Sequence, residues 1–204
     1  MEETLRRQLD AIVGNTGLGS GSVVLPANIT QLREVLATCA GAGVPVAPEG
    51  SARASDADVV ISTDHLNSVL LDPDGLLLHA GAGAPWTVVR EAAVAGRLAV
   101  SGLPSVRSER VGESVALGEI AHRTLAGVHL LTVAGALISA GGRTLKDVVG
   151  YDLPGLALGS GARLGLILAV ALRLEPAGAR TAAEPGLGPW RGEAGIDVGA
   201  AFTG

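Results

Sequence analysis

The chain has 204 residues, 48% of them hydrophobic and only 2% aromatic, with a formal net charge of −5. That length suits one large domain or two small lobes built on an aliphatic core. The acidic balance argues against a nucleic-acid binder, which would carry a basic patch, and the single Cys39 excludes an internal disulfide or a cysteine-rich zinc site.

Residues 1–12 are charged, with Leu5, Leu9 and Ile12 spaced for one face of a short helix, and lack the apolar stretch of a signal peptide. Residues 14–22, rich in Gly and Ser, read as a loop. Val23-Val24-Leu25-Pro26 predicts a short strand that Pro26 stops. Asn28 or Thr30 can cap a helix carrying Leu32, Val35 and Leu36, which Gly41-Ala42-Gly43 ends. Val44-Pro45-Val46-Ala47 is the next strand, and this strand–helix–strand order suits a right-handed parallel crossover. Val59-Val60-Ile61-Ser62 is a further strand after a polar loop. Asp72-Pro73-Asp74-Gly75 is a turn between residues 68–71 and 76–80, which predicts a hairpin. Pro85 and Gly96 bracket a helix over 87–95, and Leu98-Ala99-Val100 is a strand. Residues 104–110 are a polar loop, and Ala134-Gly135 joins strands over 126–133 and 136–139 in a second hairpin. Residues 164–174 form a long apolar strand ending at Pro176, and 177–204 read as a loose Gly/Pro/Ala-rich tail. No run of about 18 uninterrupted apolar residues is available to span a membrane, so the cytoplasm is the expected location. There is no internal repeat.

Two stretches stand out. Gly141-Gly142-Arg143-Thr144-Leu145-Lys146-Asp147-Val148-Val149-Gly150-Tyr151-Asp152-Leu153 carries the only tyrosine, and Gly159-Ser160-Gly161-Ala162-Arg163-Leu164-Gly165-Leu166-Ile167 follows it closely. Both place glycines where backbone can lie against a flat ligand or against other backbone. The histidines, His65, His79, His122 and His129, do not share metal-ligand spacing. Cys39 on an Ala-rich helix reads as a small buried hydrophobe. No catalytic residue and no metal site is assigned from these patterns.

Taken in order, these segments resemble the FAD-binding domain of the vanillyl-alcohol-oxidase and p-cresol-methylhydroxylase superfamily, and within it the FAD-binding (E-type) subunit of bacterial glycolate oxidases. Four stretches carry the resemblance: Val24-Leu25-Pro26 with residues 31–36, Gly43-Val44-Pro45-Val46-Ala47-Pro48, Asp58-Val59-Val60-Ile61-Ser62-Thr63 with Leu66-Asn67, and residues 141–153 with 159–167. The resemblance implies an α+β fold of two subdomains with FAD between them, here without a full substrate (cap) domain. Its expected boundaries are 1–22 for an N-terminal helix and loop, 23–176 for the FAD-binding-type domain (subdomains about 23–62 and 63–176), and 177–204 for the tail.

The resemblance also implies where the cofactor is held. Pro48, Gly50, Ser51, Ala52 and Arg53 fall on the pyrophosphate loop, a nest-like anion site in relatives. Gly112 and Ser114 fall on a second contact stretch, and Gly150, Tyr151, Gly159, Gly161, Gly165 and Ile167 on a third. Glu49 and Glu113 stand where relatives have glycines, and both put a carboxylate beside the expected diphosphate. No histidine occupies a recognisable flavin-tethering position, so FAD is expected to be non-covalent. The implied role is an FAD-binding subunit of a 2-hydroxy-acid oxidoreductase, partnered by a second flavin subunit and an iron–sulfur subunit. The two glutamates motivate an alternative, a flavin-free descendant that has lost FAD and serves as a structural or interaction partner.

Overall fold

The computed structural model describes residues 3–14, 22–51, 54–103, 106–141 and 152–178. Helix α1 (Glu3–Val13) buries Leu5, Leu9 and Val13, with Ile12 half-buried beside them. After β1 (Val23–Val24), helix α2 (Ile29–Gly41) begins where Asn28 Oδ1 accepts the Gln31 N–H at 3.0 Å. Gln31 Oε1 in turn accepts the Ala27 N–H at 2.8 Å, a reciprocal cap of the first turn. Strands β2 (Val46–Pro48) and β3 (Val59–Ile61) complete a three-stranded parallel sheet of order β1-β3-β2. The expected β1–α2–β2 crossover is therefore parallel, but β3 inserts between its strands. All three β3 residues are buried, which suits the central position of a parallel sheet.

The second lobe starts with the hairpin β4 (Val69–Asp72) and β5 (Leu77–Gly81), whose turn is held by the Gly75 N–H donating to Asp72 Oδ1 at 3.0 Å. Helix α3 (Trp86–Ala95) follows, with Pro85 and Gly96 at its ends, then β6 (Leu98–Val100) and helix α4 (Val111–Leu117). Strands β7 (Leu125–Leu131) and β8 (Leu137–Gly141), helix α5 (Leu153–Ala157) and β9 (Leu166–Pro176) close the lobe. Its sheet has the order β4-β5-β9-β7-β8, with β6 paired to the C-terminal end of β9, all antiparallel. Residues 15–21 of the expected N-terminal loop and 179–204 of the expected tail lie outside the described residues.

Strand β9 serves both lobes. Leu166 and Leu168 join the core of α1, α2 and the parallel sheet, whereas Ile167, Val170, Leu172 and Leu174 join the core under α3 and α4. The inward-facing residue changes from odd to even number because of a bulge. Leu130 pairs with Ile167 and His129 with Ala169, so Leu168 is the extra residue. A one-residue insertion reverses the alternation of side chains beyond it. The Leu168 carbonyl instead accepts the Ala82 N–H at 2.9 Å, which extends the β5 side of the sheet toward the small lobe.

Leu172 is fully buried where β5, β7 and β9 meet. Leu172→Ala is expected to cost about 2–5 kcal/mol of stability, read as a lower urea midpoint with an unchanged slope.

Candidate functional site

A cleft opens at the seam between the lobes, with a volume of about 550 Å³ including the solvent at its mouth. The small lobe contributes Pro48, Glu49, Gly50 and Ser51 from the end of β2, and Thr63 from beyond β3. The large lobe contributes Ala82, the start of α4 through Arg110, Gly112, Glu113, Ala116 and Leu117, and Gly161, Ala162, Leu166 and Ile167. The floor is thus aliphatic, and the polar groups gather at the β2 loop and the α4 N-terminus.

Helix α4 is fixed by its own first amides. Val111 N–H donates to Ala84 O at 3.1 Å and Gly112 N–H to Ala82 O at 2.8 Å. A Cβ on Gly112 would stand 2.6 Å from Ala82 Cβ, so only glycine lets the helix come this close. Ser114, fully buried, faces away from the cleft: its hydroxyl accepts from Trp86 Nε1 at 2.7 Å and donates to Arg110 O at 3.2 Å. At the far end, Glu119 Oε2 accepts the Ser108 and Arg107 N–H groups at 2.9 and 3.2 Å. The Ser108 amide above all holds the Glu119 carboxyl below the usual carboxylate range.

Six of the sequence-predicted residues, Pro48, Gly50, Ser51, Gly112, Gly161 and Ile167, line this one cleft. Gly159 lies with Gly161 in the neighbouring hollow formed by Leu156, Ser160, Arg163 and Leu164, and Gly165 lines an apolar groove on the other side. Ala52, Arg53, Gly150 and Tyr151 lie outside the described residues. Ala162 and Leu166, within the 159–167 stretch marked from sequence, also line it, and Thr63, Ala82, Arg110, Ala116 and Leu117 complete the lining without having been named as site residues. Only the Gly81-Ala82-Gly83 run carried a usable signal, three small residues in a row after a strand.

Several backbone donors expected to face a ligand are engaged within the protein. Gly112 N–H is taken by Ala82 O, Gly161 N–H by Ala116 O at 2.9 Å, and Ser51 N–H by Pro48 O at 3.2 Å. Gly50 and Ala162 are the lining residues at positive φ, +76° and +60°, whose amides have no partner among the described residues. Arg110 Nε stands 2.5 Å from Asp64 Oδ1, an ion pair that supplies counter-charge to a buried oxygen lacking a hydrogen-bond partner among the described residues.

Glu113 projects over Gly50. A Cβ on Gly50 would meet Glu113 Oε1 at 2.7 Å and Cδ at 2.9 Å, so the carboxylate fills the space that the glycine leaves. Burial, reinforced by Glu119, opposed by Arg110 and reinforced again by Glu109 and Glu49, pushes the Glu113 carboxyl up from its ordinary range. Elsewhere, His122 Nε2 and Asp152 Oδ2 pair at 2.7 Å on an exposed surface, and Asp152 also caps α5 through the Gly155 N–H at 3.0 Å. Among the described residues no group of three or more His, Cys, Asp or Glu is placed to hold a metal ion.

The sequence profile of the FAD binding domain matches residues 21–141. The chain belongs to this family. Its relatives agree with the cleft's cofactor class. An uncharacterized FAD-linked oxidoreductase of Mycobacterium tuberculosis is 28% identical over 168 residues, covering 74% of this chain and 37% of the relative. The glycolate oxidase subunit GlcD of Bacillus subtilis is 24% identical over 173 residues, covering 76% of this chain and 37% of that protein. The fold matches that of solved alkyldihydroxyacetonephosphate synthase with a TM-score of 0.66 at 13% identity, covering 86% of this chain and 41% of that one. The chain thus spans little more than a third of the length of the curated relatives it matches. The α+β, two-lobed fold of the p-cresol-methylhydroxylase type is the observed one, and FAD is the cofactor of this domain.

The residues present fit that cofactor in shape. The floor is apolar, Gly161 opens to space with nothing within 4 Å of where a Cβ would be, and the Gly50 and Ala162 amides remain for anionic oxygens. The Glu113 and Glu49 carboxylates on the cleft wall oppose it.

Ser114→Ala would leave the buried Trp86 Nε1 without an acceptor. A loss of about 1–3 kcal/mol is expected, and a Tm lower by about 2–4 °C for each kcal/mol lost. An unchanged Tm would show that the Trp86–Ser114 bond does not hold the cleft wall.

Proposed function

We propose that the chain is the FAD-holding part of a cytoplasmic oxidoreductase acting on a 2-hydroxy acid, in the manner of a glycolate oxidase subunit. In this reading it works with a second flavin subunit and an iron–sulfur subunit. The observation that carries the reading is convergence: Gly50, Gly112 and Gly161, from three separate stretches, meet on one apolar trough at the seam of an FAD-binding fold. The name of the Bacillus subtilis relative supports the substrate class.

FAD supplies the two-electron chemistry when bound. The protein's own contribution is position and environment. Ala82, Ala116, Leu117, Leu166 and Ile167 offer a dry aliphatic surface to a flat ring system. The Gly50 and Ala162 amides offer donors to phosphate oxygens at backbone positions that cannot swing away. Ser114 and Trp86 lock α4 on α3, which supports the wall carrying Gly112 and Glu113. Strand β9 puts Leu166 in one core and Ile167 in the other, and both stand on the trough's wall.

The carboxylate over Gly50 favours a second reading, in which the fold acts as an interaction partner without flavin. The visible absorbance of the purified protein at pH 6, with thermal shift on added FAD, separates them. Two broad visible bands are expected, and FAD at 100 times its Kd should add about 2.7 kcal/mol of stability. Gly161→Val, a branched side chain at φ +59° in the open part of the trough, should weaken both signals. A colourless protein with no shift would favour the flavin-free reading.

A further inference from the structure

We propose that Glu113 sets the cleft's affinity for phosphate-bearing ligands, admitting a dinucleotide over the Gly50 loop when its carboxyl is protonated and repelling it when charged. The inference rests on the FAD reading above and deepens it by naming which part of the ligand this chain discriminates.

The geometry leaves little choice. Glu113 Oε1 lies within 2.7 Å of the point a Gly50 Cβ would occupy, so the carboxyl stands beside the Gly50 backbone that a diphosphate would have to reach. The charged groups around it mostly share its sign. From the β2 loop comes Glu49, from the segment before α4 come Glu109 and Arg110, and from beyond α4 comes Glu119. Arg110 is the one nearby cation among them, and its guanidinium is already paired with Asp64. Glu119 is held by the Ser108 and Arg107 amides and stays in place as an anion. Arg163 belongs to the adjoining hollow rather than to the Gly50 side of the cleft. Among the described residues a diphosphate therefore meets a carboxylate with no free counter-charge in a partly desolvated cleft, where like-charge repulsion is felt more strongly than in open water.

Protonation changes the sign of the contact. A neutral carboxyl gives an O–H donor in hydrogen-bond reach of a phosphate oxygen, so the same side chain turns from barrier to ligand. The raised pKa of Glu113 brings this switch toward less acidic pH than an ordinary glutamate would allow. Binding is then coupled to proton uptake, and affinity for FAD falls as pH rises through the Glu113 pKa. A flavin without phosphate has no reason to follow.

The test measures Kd for FAD and for riboflavin by flavin fluorescence, on the full chain and on Glu113→Gln, from pH 5 to pH 8. The wild-type chain should lose roughly tenfold or more in FAD affinity across this range, while the near-isosteric Gln variant stays tight and flat. Riboflavin affinity should be equal in both proteins and independent of this range. If wild type and variant bind FAD equally at pH 8, the gate is overturned and the FAD reading stands. If riboflavin shows the same pH slope as FAD, the effect is not on the phosphates and the gate is overturned as well. If Glu113→Gln, folded by its thermal transition, binds FAD at no pH, the gate and the FAD reading fall together. The wild-type pH series alone decides the matter if the variant fails to fold, since a flat FAD profile contradicts the gate.

Discussion

A single bulge in one strand sets the shape of this domain. Strand β9 is hydrogen-bonded to β5, β7 and β6 and has buried side chains in both major cores, as does β7 through Leu130 and Leu131. The extra Leu168 reverses the alternation part-way along, so Leu166 and Leu168 face one core while the later even-numbered residues face the other. Without the insertion, the face presenting Leu166 and Leu168 to α1, α2 and the parallel sheet would continue toward the same side, and Val170, Leu172 and Leu174 would miss the large-lobe core. The cleft forms where the strand changes allegiance: Leu166 and Ile167, one from each core, are both on its wall.

The rest of the site follows from close approach at that seam. Gly112 brings α4 against Ala82, and the Ala82 and Ala84 carbonyls consume the first amides of the helix. Closeness thus has a chemical consequence. The helix start, which in a looser arrangement would present free donors to an anion, is already satisfied, and the next side chain along, Glu113, covers the Gly50 loop instead. The Glu113 and Glu49 carboxylates thus gather on one side of the cleft, beside Gly50.

Much of the fold could be read from the sequence wherever a local rule governs a local choice. Asn28 and Gln31 cap α2 reciprocally, Asp72-Pro73-Asp74-Gly75 makes the first hairpin, and Pro85 with Gly96 frames α3. The order of the parallel sheet was not legible, because strands of two and three residues carry no periodicity from which to choose a neighbour. Nor was the β9 bulge, since a continuous apolar run hides which residues face which side. At the site, the glycines were legible because they interrupt the pattern, and six expected residues meet in one cleft. Ser114 faces the core because the phase of α4 sends it toward Trp86, and that phase is fixed by docking on Ala82 rather than by the helix's own residues. Arg110 and Asp64 become a pair only through the fold, 46 positions apart in sequence.

The most direct test of the claim that FAD lies at the lobe seam is amide hydrogen exchange of the protein at pH 6 with and without saturating FAD. Protection is expected in the peptides holding residues 48–51, 110–117 and 159–167, with the β4–β5 turn at residues 72–75 unchanged. Protection confined to other surfaces, or none at FAD concentrations that saturate binding, would contradict it.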